Sequence, residues 1–162
     1  MSTKKSENKF YTEKETRLIY VLLSPADKKF YINQSTKKSL RETYRHNLKC
    51  RRESTKNFIE EIKPNRPCIF VLEKVYSTKA EAQNYVLVWI KIFLENGYIS
   101  FNNEKILLQT EQLYFNNIRI YERRKSVNLQ NILSCKRCFI PTYKNITCEK
   151  YISNNQETEP SK

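Results

Sequence analysis

Arg17-Leu18-Ile19-Tyr20-Val21-Leu22-Leu23, then Ser24-Pro25-Ala26-Asp27, then Lys29-Phe30-Tyr31-Ile32-Asn33: this stretch decides the fold. An apolar run of strand length meets a turn in which proline presets the backbone. A second strand returns from it, so the spacing predicts a β-hairpin. The outgoing strand carries the tripeptide Leu18-Ile19-Tyr20 and the returning strand carries Tyr31-Ile32-Asn33. A basic segment from Lys37 to Arg52 follows directly.

Working outward, Ser39 is placed to cap a helix with its hydroxyl. Leu40, Tyr44 and Leu48 follow at helical spacing, predicting a helix from Leu40 to Cys50 with Arg41, Arg45, Lys49 and Arg52 beside its apolar stripe. Ser54 to Ile62 reads as a shorter helix with Phe58, Ile59 and Ile62 inward, stopped by Pro64 and Pro67. Cys68-Ile69-Phe70-Val71-Leu72 is a continuous apolar run and hence a buried strand. Thr78 and Glu81 have the spacing of a capping box. The helix they open runs through Ala82, Tyr85, Val86, Trp89, Ile90 and Phe93 and ends at Asn96-Gly97, where a left-handed cap is needed. Further on, a hairpin is expected around Asn102-Asn103 and a short strand at Ile118 to Tyr121, before basic Arg123-Arg124-Lys125. The fold class is therefore α/β (α+β): a small mixed or antiparallel three-stranded sheet flanked by helices. Residues 1–16 read as a flexible basic arm and 17–100 as the folded domain. Residues 101–152 read as a basic extension packing on it, and 153–162 as a disordered tail.

Composition narrows the function. The chain has 162 residues, 39% of them hydrophobic, enough for one core. Its 30 Lys and Arg against 17 Asp and Glu leave a net charge of +13, which points to a polyanionic partner. A single glycine excludes glycine-rich phosphate loops, and with them Walker-type NTPases and Rossmann dinucleotide sites. No apolar run is long enough to span a membrane and no secretory signal is visible. Five cysteines, an odd number, then fit reduced thiols in a cytoplasmic protein better than a disulfide framework.

The element order and the two tripeptides resemble the GIY-YIG endonuclease domain over about residues 17–100. Gln34-Ser35-Thr36-Lys37 before Ser39-Leu40 is similar to the loop and helix start that follow the second motif. Ala80-Glu81-Ala82-Gln83 entering Trp89-Ile90 is similar to the metal-site helix, and Asn96-Gly97-Tyr98 to its exit. The resemblance implies that Tyr20 helps activate water and that Tyr31 orients the phosphate. It also implies a helix arginine that stabilises charge on the phosphoryl oxygens and a glutamate that holds one Mg²⁺. Anchoring on Ser39-Leu40 and Tyr44 puts Thr43 at the arginine position and Asn47 where a histidine often sits. Counting straight from Tyr31 puts Arg41 there instead. The first register keeps Leu40 and Tyr44 inward together and is favoured. At the glutamate position stands Gln83, or Val86 if Trp89 is the anchor. Leu18 and Asn33 occupy the two motif-glycine positions.

Four such replacements imply a nucleic-acid-binding protein, with DNA expected over RNA, that keeps the fold without the cleavage chemistry. An active Mg²⁺-dependent DNA endonuclease using Tyr20, Tyr31 and Arg41 is the first alternative. A basic regulatory module that meets an acidic protein is the second. The expected phosphate contacts are Lys37, Lys38, Arg41, Arg45, His46, Lys49, Arg51 and Arg52, joined by Arg123, Arg124 and Lys125. Cys135-Lys136-Arg137-Cys138 is a CxxC with Cys148 ten residues on. Those three thiols are candidate zinc ligands, the fourth coming from Cys50, Cys68 or His46. Ordinary reduced thiols are the competing reading.

Overall fold

A computed structural model of the protein describes residues 13–24, 27–49, 52–63, 67–129 and 138–139. The hairpin forms from β1 (Glu15–Ser24) and β2 (Lys29–Ser35), with Tyr20 opposite Asn33 and Leu22 opposite Tyr31. Helices α1 (Leu40–Lys49) and α2 (Glu53–Ile62) follow, then β3 (Cys68–Ser77) and the long α3 (Lys79–Glu95). Strand β3 returns antiparallel to the other edge of β1, leaving β1 central. The α/β class is as expected, but the sheet has five strands in the order β4-β2-β1-β3-β5. The additions are two residues each: β4 (Ile99–Ser100), parallel to β2, and β5 (Cys138–Phe139), antiparallel to β3. Such short strands exist through their tertiary pairing and carry no periodicity to read.

Burial on both faces explains the unbroken apolar run of β1. On one face Ile19, Val21, Leu23, Phe30, Ile32 and Phe70 pack with Ala82, Val86, Trp89, Ile90 and Phe93 of α3. Phe93 lies 5.1 Å from both Phe30 and Tyr98, ring centre to ring centre. On the other face Tyr20, Leu22, Tyr31 and Ile69 meet Tyr44 of α1 and Phe58 and Ile62 of α2. The helix boundaries follow the local chemistry. Ser39 Oγ accepts from the Glu42 backbone N–H (3.2 Å), and Thr78 Oγ1 accepts from that of Glu81 (3.2 Å). Gly97 closes α3 at φ +85°, a conformation that costs other residues more.

Three expectations need correction. Strand β1 starts at Glu15, inside the segment read as an arm, because its first residues pair with the far end of β3, Glu15 opposite Ser77. Asn102-Asn103 is no hairpin turn: Asn103 Oδ1 accepts from the Ile106 backbone N–H (2.9 Å) and opens helix α4 (Glu104–Asn116). Ile118 to Tyr121 is not a strand but the start of helix α5 (Ile118–Arg124). Its Ile120 and Tyr121 pack against the core that α3 forms with the sheet, as do Ile106 and Leu107 of α4. That packing outweighs the alternating pattern that read as strand. The N-terminal arm up to residue 12, Cys50, Arg51, Cys135, Cys148 and the tail lie outside the described residues.

The register of β1 and β3 shifts at one point. Ile19 faces Glu73 and Tyr20 faces Val71, so Leu72 is an extra residue in β3. The shift turns Glu73 toward the α3 face. There its Oε1 accepts from Trp89 Nε1 (2.8 Å) and Arg124 Nε (2.9 Å), and its Oε2 from Arg124 Nη2 (2.7 Å). The Arg124 guanidinium also lies 5.2 Å from the Tyr85 ring centre. Arg124 thereby fastens α5 to the sheet through two charge-assisted bonds. Arg124→Met should cost about 2 kcal/mol of stability, because it also strands a half-buried carboxylate. Urea unfolding followed by the fluorescence of the sole tryptophan, Trp89, measures this. A loss below about 0.5 kcal/mol would reduce the pair to an ordinary surface contact.

Candidate functional site

Beyond its pairing with β4, the outer edge of β2 is finished by a side chain. Asn102 Oδ1 accepts from the Ile32 N–H (3.2 Å) and its Nδ2 donates to the Ile32 carbonyl (2.8 Å). An edge strand needs such partners for its backbone groups. A cleft of about 660 Å³ opens beside this edge. The hairpin contributes Arg17, Tyr20, Tyr31, Asn33 and Gln34 to it. Helix α1 adds His46 and Asn47, the start of α2 adds Glu53 and Thr55, and the start of α3 adds Lys79 and Gln83.

Both tyrosines of the tripeptides line this cleft, as side chains of the same sheet face. Asn47 Nδ2 donates to the Tyr20 hydroxyl (2.9 Å) and to the Thr43 carbonyl (2.8 Å), so α1 holds that phenol in place. The Tyr31 hydroxyl accepts from Asn33 Nδ2 (2.9 Å). Thr43 is buried, its hydroxyl donating to the Ser39 carbonyl (3.0 Å) and lying 3.2 Å from Ser35 Oγ. The inward side of α1 is therefore Thr43, Tyr44 and Asn47, while Leu48, expected inward, is 45% exposed. Arg41 is exposed and is not among the residues lining the cleft. The geometry thus puts Thr43, not Arg41, on the side of α1 that faces the tyrosines.

Gln83 lines the cleft and its Oε1 accepts from Gln34 Nε2 (3.2 Å), whereas Val86 belongs to the core. The donor set around Tyr20 and Tyr31 is thus hydroxyl and amide. The two cleft carboxylates are placed elsewhere, Glu15 on Arg17 (2.8 Å) and Glu53 in the first turn of α2. A hard cation such as Mg²⁺ is held by oxygen ligands that include carboxylates. Gln83 and Thr43 do not fit that requirement, and no group of three His, Cys, Asp or Glu suited to a metal exists among the described residues.

The expected phosphate contacts separate into groups. Lys37, His46 and Arg52 line the cleft. Arg41, Arg45 and Lys49 form an exposed stripe along α1, four residues apart each time. Lys38 borders a separate shallow groove with Leu18, Leu40, Val71 and Lys74. Arg123 is exposed on α5, and Lys125 is paired with Glu122. The Arg124 guanidinium is paired with Glu73. Among the zinc candidates, Cys68 is buried in the core, where burial pushes its thiol well up.

Arg17 and Lys79 of the cleft were missed. A charged residue at the head of an apolar strand reads as a flank, and a lysine in a helix's first turn reads as a solvated side chain. Their meeting depends on β1 and β3 pairing, which no local pattern reveals. The first turns of α2 and α3 both reach the cleft, so two positive helix ends add to its cations. No helix among the described residues is long and apolar enough to cross a membrane. Comparison of the chain with family models, with curated proteins and with solved structures finds no match.

Proposed function

We propose that this chain is a nucleic-acid-binding protein of GIY-YIG-like fold, acting inside the cell, whose cleavage site is degenerate. The observation that carries the reading is the shared cleft: Tyr20 and Tyr31 open onto one concave site with Arg17, Lys37, Arg52 and Lys79. Phenols that can hydrogen-bond a phosphodiester beside cations that neutralise it are what phosphate recognition uses. The strand order β2-β1-β3, with α1 and α2 inserted before β3, supports the same reading. The exposed stripe Arg41, Arg45 and Lys49 adds a second set of cations for the flanking backbone. DNA is the expected partner.

Binding in this account is electrostatic and tolerant of sequence. With about six phosphates contacted, affinity for duplex DNA should fall roughly a thousand-fold between about 50 and 200 mM salt. Replacing Arg41, Arg45 and Lys49 together by Gln should flatten that slope by nearly three counterions without disturbing the fold, because all three are exposed. Fluorescence anisotropy across a salt series measures both. An affinity indifferent to salt would deprive the charge of +13 of its role.

Cleavage is expected to be absent. An electrostatic clamp on the phosphoryl oxygens contributes on the order of 10²- to 10³-fold in rate, and Thr43 carries no charge to supply it. The chain should leave supercoiled plasmid intact with Mg²⁺ or Mn²⁺, and Thr43→Arg with Gln83→Glu should introduce slow Mg²⁺-dependent nicking. Nicking by the wild type that needs Mg²⁺ and disappears in Tyr20→Phe would establish an active endonuclease instead.

A further inference from the structure

Among the described residues, Arg17 is the only basic side chain in the buried set, 6% exposed. Its Nη2 donates to Glu15 Oε1 (2.8 Å) and its Nη1 to Gln34 Oε1 (3.2 Å), while its buried Nε has no acceptor among the described residues. Arg124 shows what this edge of a guanidinium does when it is fully used. There Nε and Nη2 each meet one oxygen of the Glu73 carboxylate. At Arg17 the same edge is half filled, by one oxygen of a carboxylate that is itself half exposed. A buried charged donor without an acceptor is costly, and this one belongs to a side chain that lines the cleft.

The surroundings suit an anion with several oxygens. Gln34 Nε2 donates to the Lys79 carbonyl (3.1 Å) and to Gln83 Oε1 (3.2 Å), which links Arg17 to the first turn of α3. Glu15 stands opposite Ser77, the residue before the Thr78 cap. Lys79 lines the cleft at the positive end of this 17-residue helix. We propose that Arg17, Lys79 and the N-terminus of α3 hold a phosphoryl group of the bound nucleic-acid strand, which displaces Glu15 and fills both Nε and Nη2. The proposal rests on the nucleic-acid reading above. This is a different position from the one Thr43 occupies: Thr43 faces the tyrosines from α1, whereas Arg17 reaches the cleft from the head of β1 beside α3. In this scheme Glu15 is a displaceable stand-in for phosphate and lowers affinity by competing for the guanidinium.

The test titrates the full chain, labelled with ¹⁵N, with inorganic phosphate and with short oligonucleotides bearing either a 5′-phosphate or a 5′-hydroxyl. The Arg17 Nε–H signal should shift with phosphate and with oligonucleotide. Glu15→Gln should tighten oligonucleotide binding several-fold, and Arg17→Gln should weaken it about ten- to a hundred-fold. Because truncating a buried cation can unfold a domain, Arg17→Lys serves as a second variant. It keeps the charge, loses the two-donor edge, and should also weaken binding at least several-fold. A tighter complex with the 5′-phosphate identifies a terminal monoester, and equal affinities identify an internal phosphodiester. Wild-type oligonucleotide binding that Glu15→Gln and folded Arg17 variants leave unchanged, with a silent Nε–H, would overturn the inference alone. Phosphate binding at Arg17 with no affinity for any oligonucleotide would overturn the nucleic-acid reading and leave an anion site.

Discussion

Strand β1 is hydrogen-bonded along both edges and covered on both faces, and the cleft follows from that placement. Its partners β2 and β3 set which residues of Glu15–Ser24 look toward α1 and which toward α3. A slip of one residue in either pairing would exchange the two sets. Tyr20 would then leave the α1 face and Arg17 the start of α3. The slip is opposed on both sides by large buried side chains, Leu22 and Tyr20 on one and Ile19, Val21 and Leu23 on the other. The shift opposite Leu72 is the one place where the pairing departs from regularity, and it re-aims Glu73 onto Trp89 and Arg124. A local irregularity there ties helix α5 to β3.

The cleft combines groups from elements far apart in the chain, and its character comes from what each helix sends into it. Helix α1 sends the amide of Asn47, itself held by the Thr43 carbonyl, which positions Tyr20 rather than charges it. Helices α2 and α3 send their first turns, where backbone N–H groups lack helical partners. The strands add Arg17 and the amide of Gln34. Cationic, amide and hydroxyl groups of this kind suit an anion better than a divalent cation, which favours carboxylate ligands. A separate set of charges, Arg41, Arg45 and Lys49, is exposed along the outer stripe of α1.

Much of this was legible in the sequence wherever the signal is local. The apolar run of β1, the Ser39 and Thr78 caps and Gly97 after α3 each announce an element within a few residues. A shared site for Tyr20 and Tyr31 was what the resemblance implied, and the hairpin register puts both on one sheet face. What failed was non-local. Ile118-Arg119-Ile120 alternates like a strand, yet α5 exists because Tyr121 and Arg124 find partners on α3 and β3. Asn102 reads as a turn residue and instead completes the edge of β2, seventy positions from Ile32 in the chain. Leu48 keeps helical spacing with Tyr44 but lies on the solvent side, because the tyrosine cleft draws Asn47 inward in its place. Arg17 carries no local signal at all.

The central claim is that a nucleic-acid strand enters this cleft, and photocrosslinking tests it most directly. A duplex carrying a photoreactive phosphate analogue, bound at low salt and irradiated, should attach to peptides that contain Arg17 and Tyr20, Tyr31, or Lys79. Mass spectrometry maps the sites, and competition by unmodified duplex should suppress them. Crosslinks confined to the outer stripe of α1 or to α5, with the cleft peptides unmodified, would contradict the account.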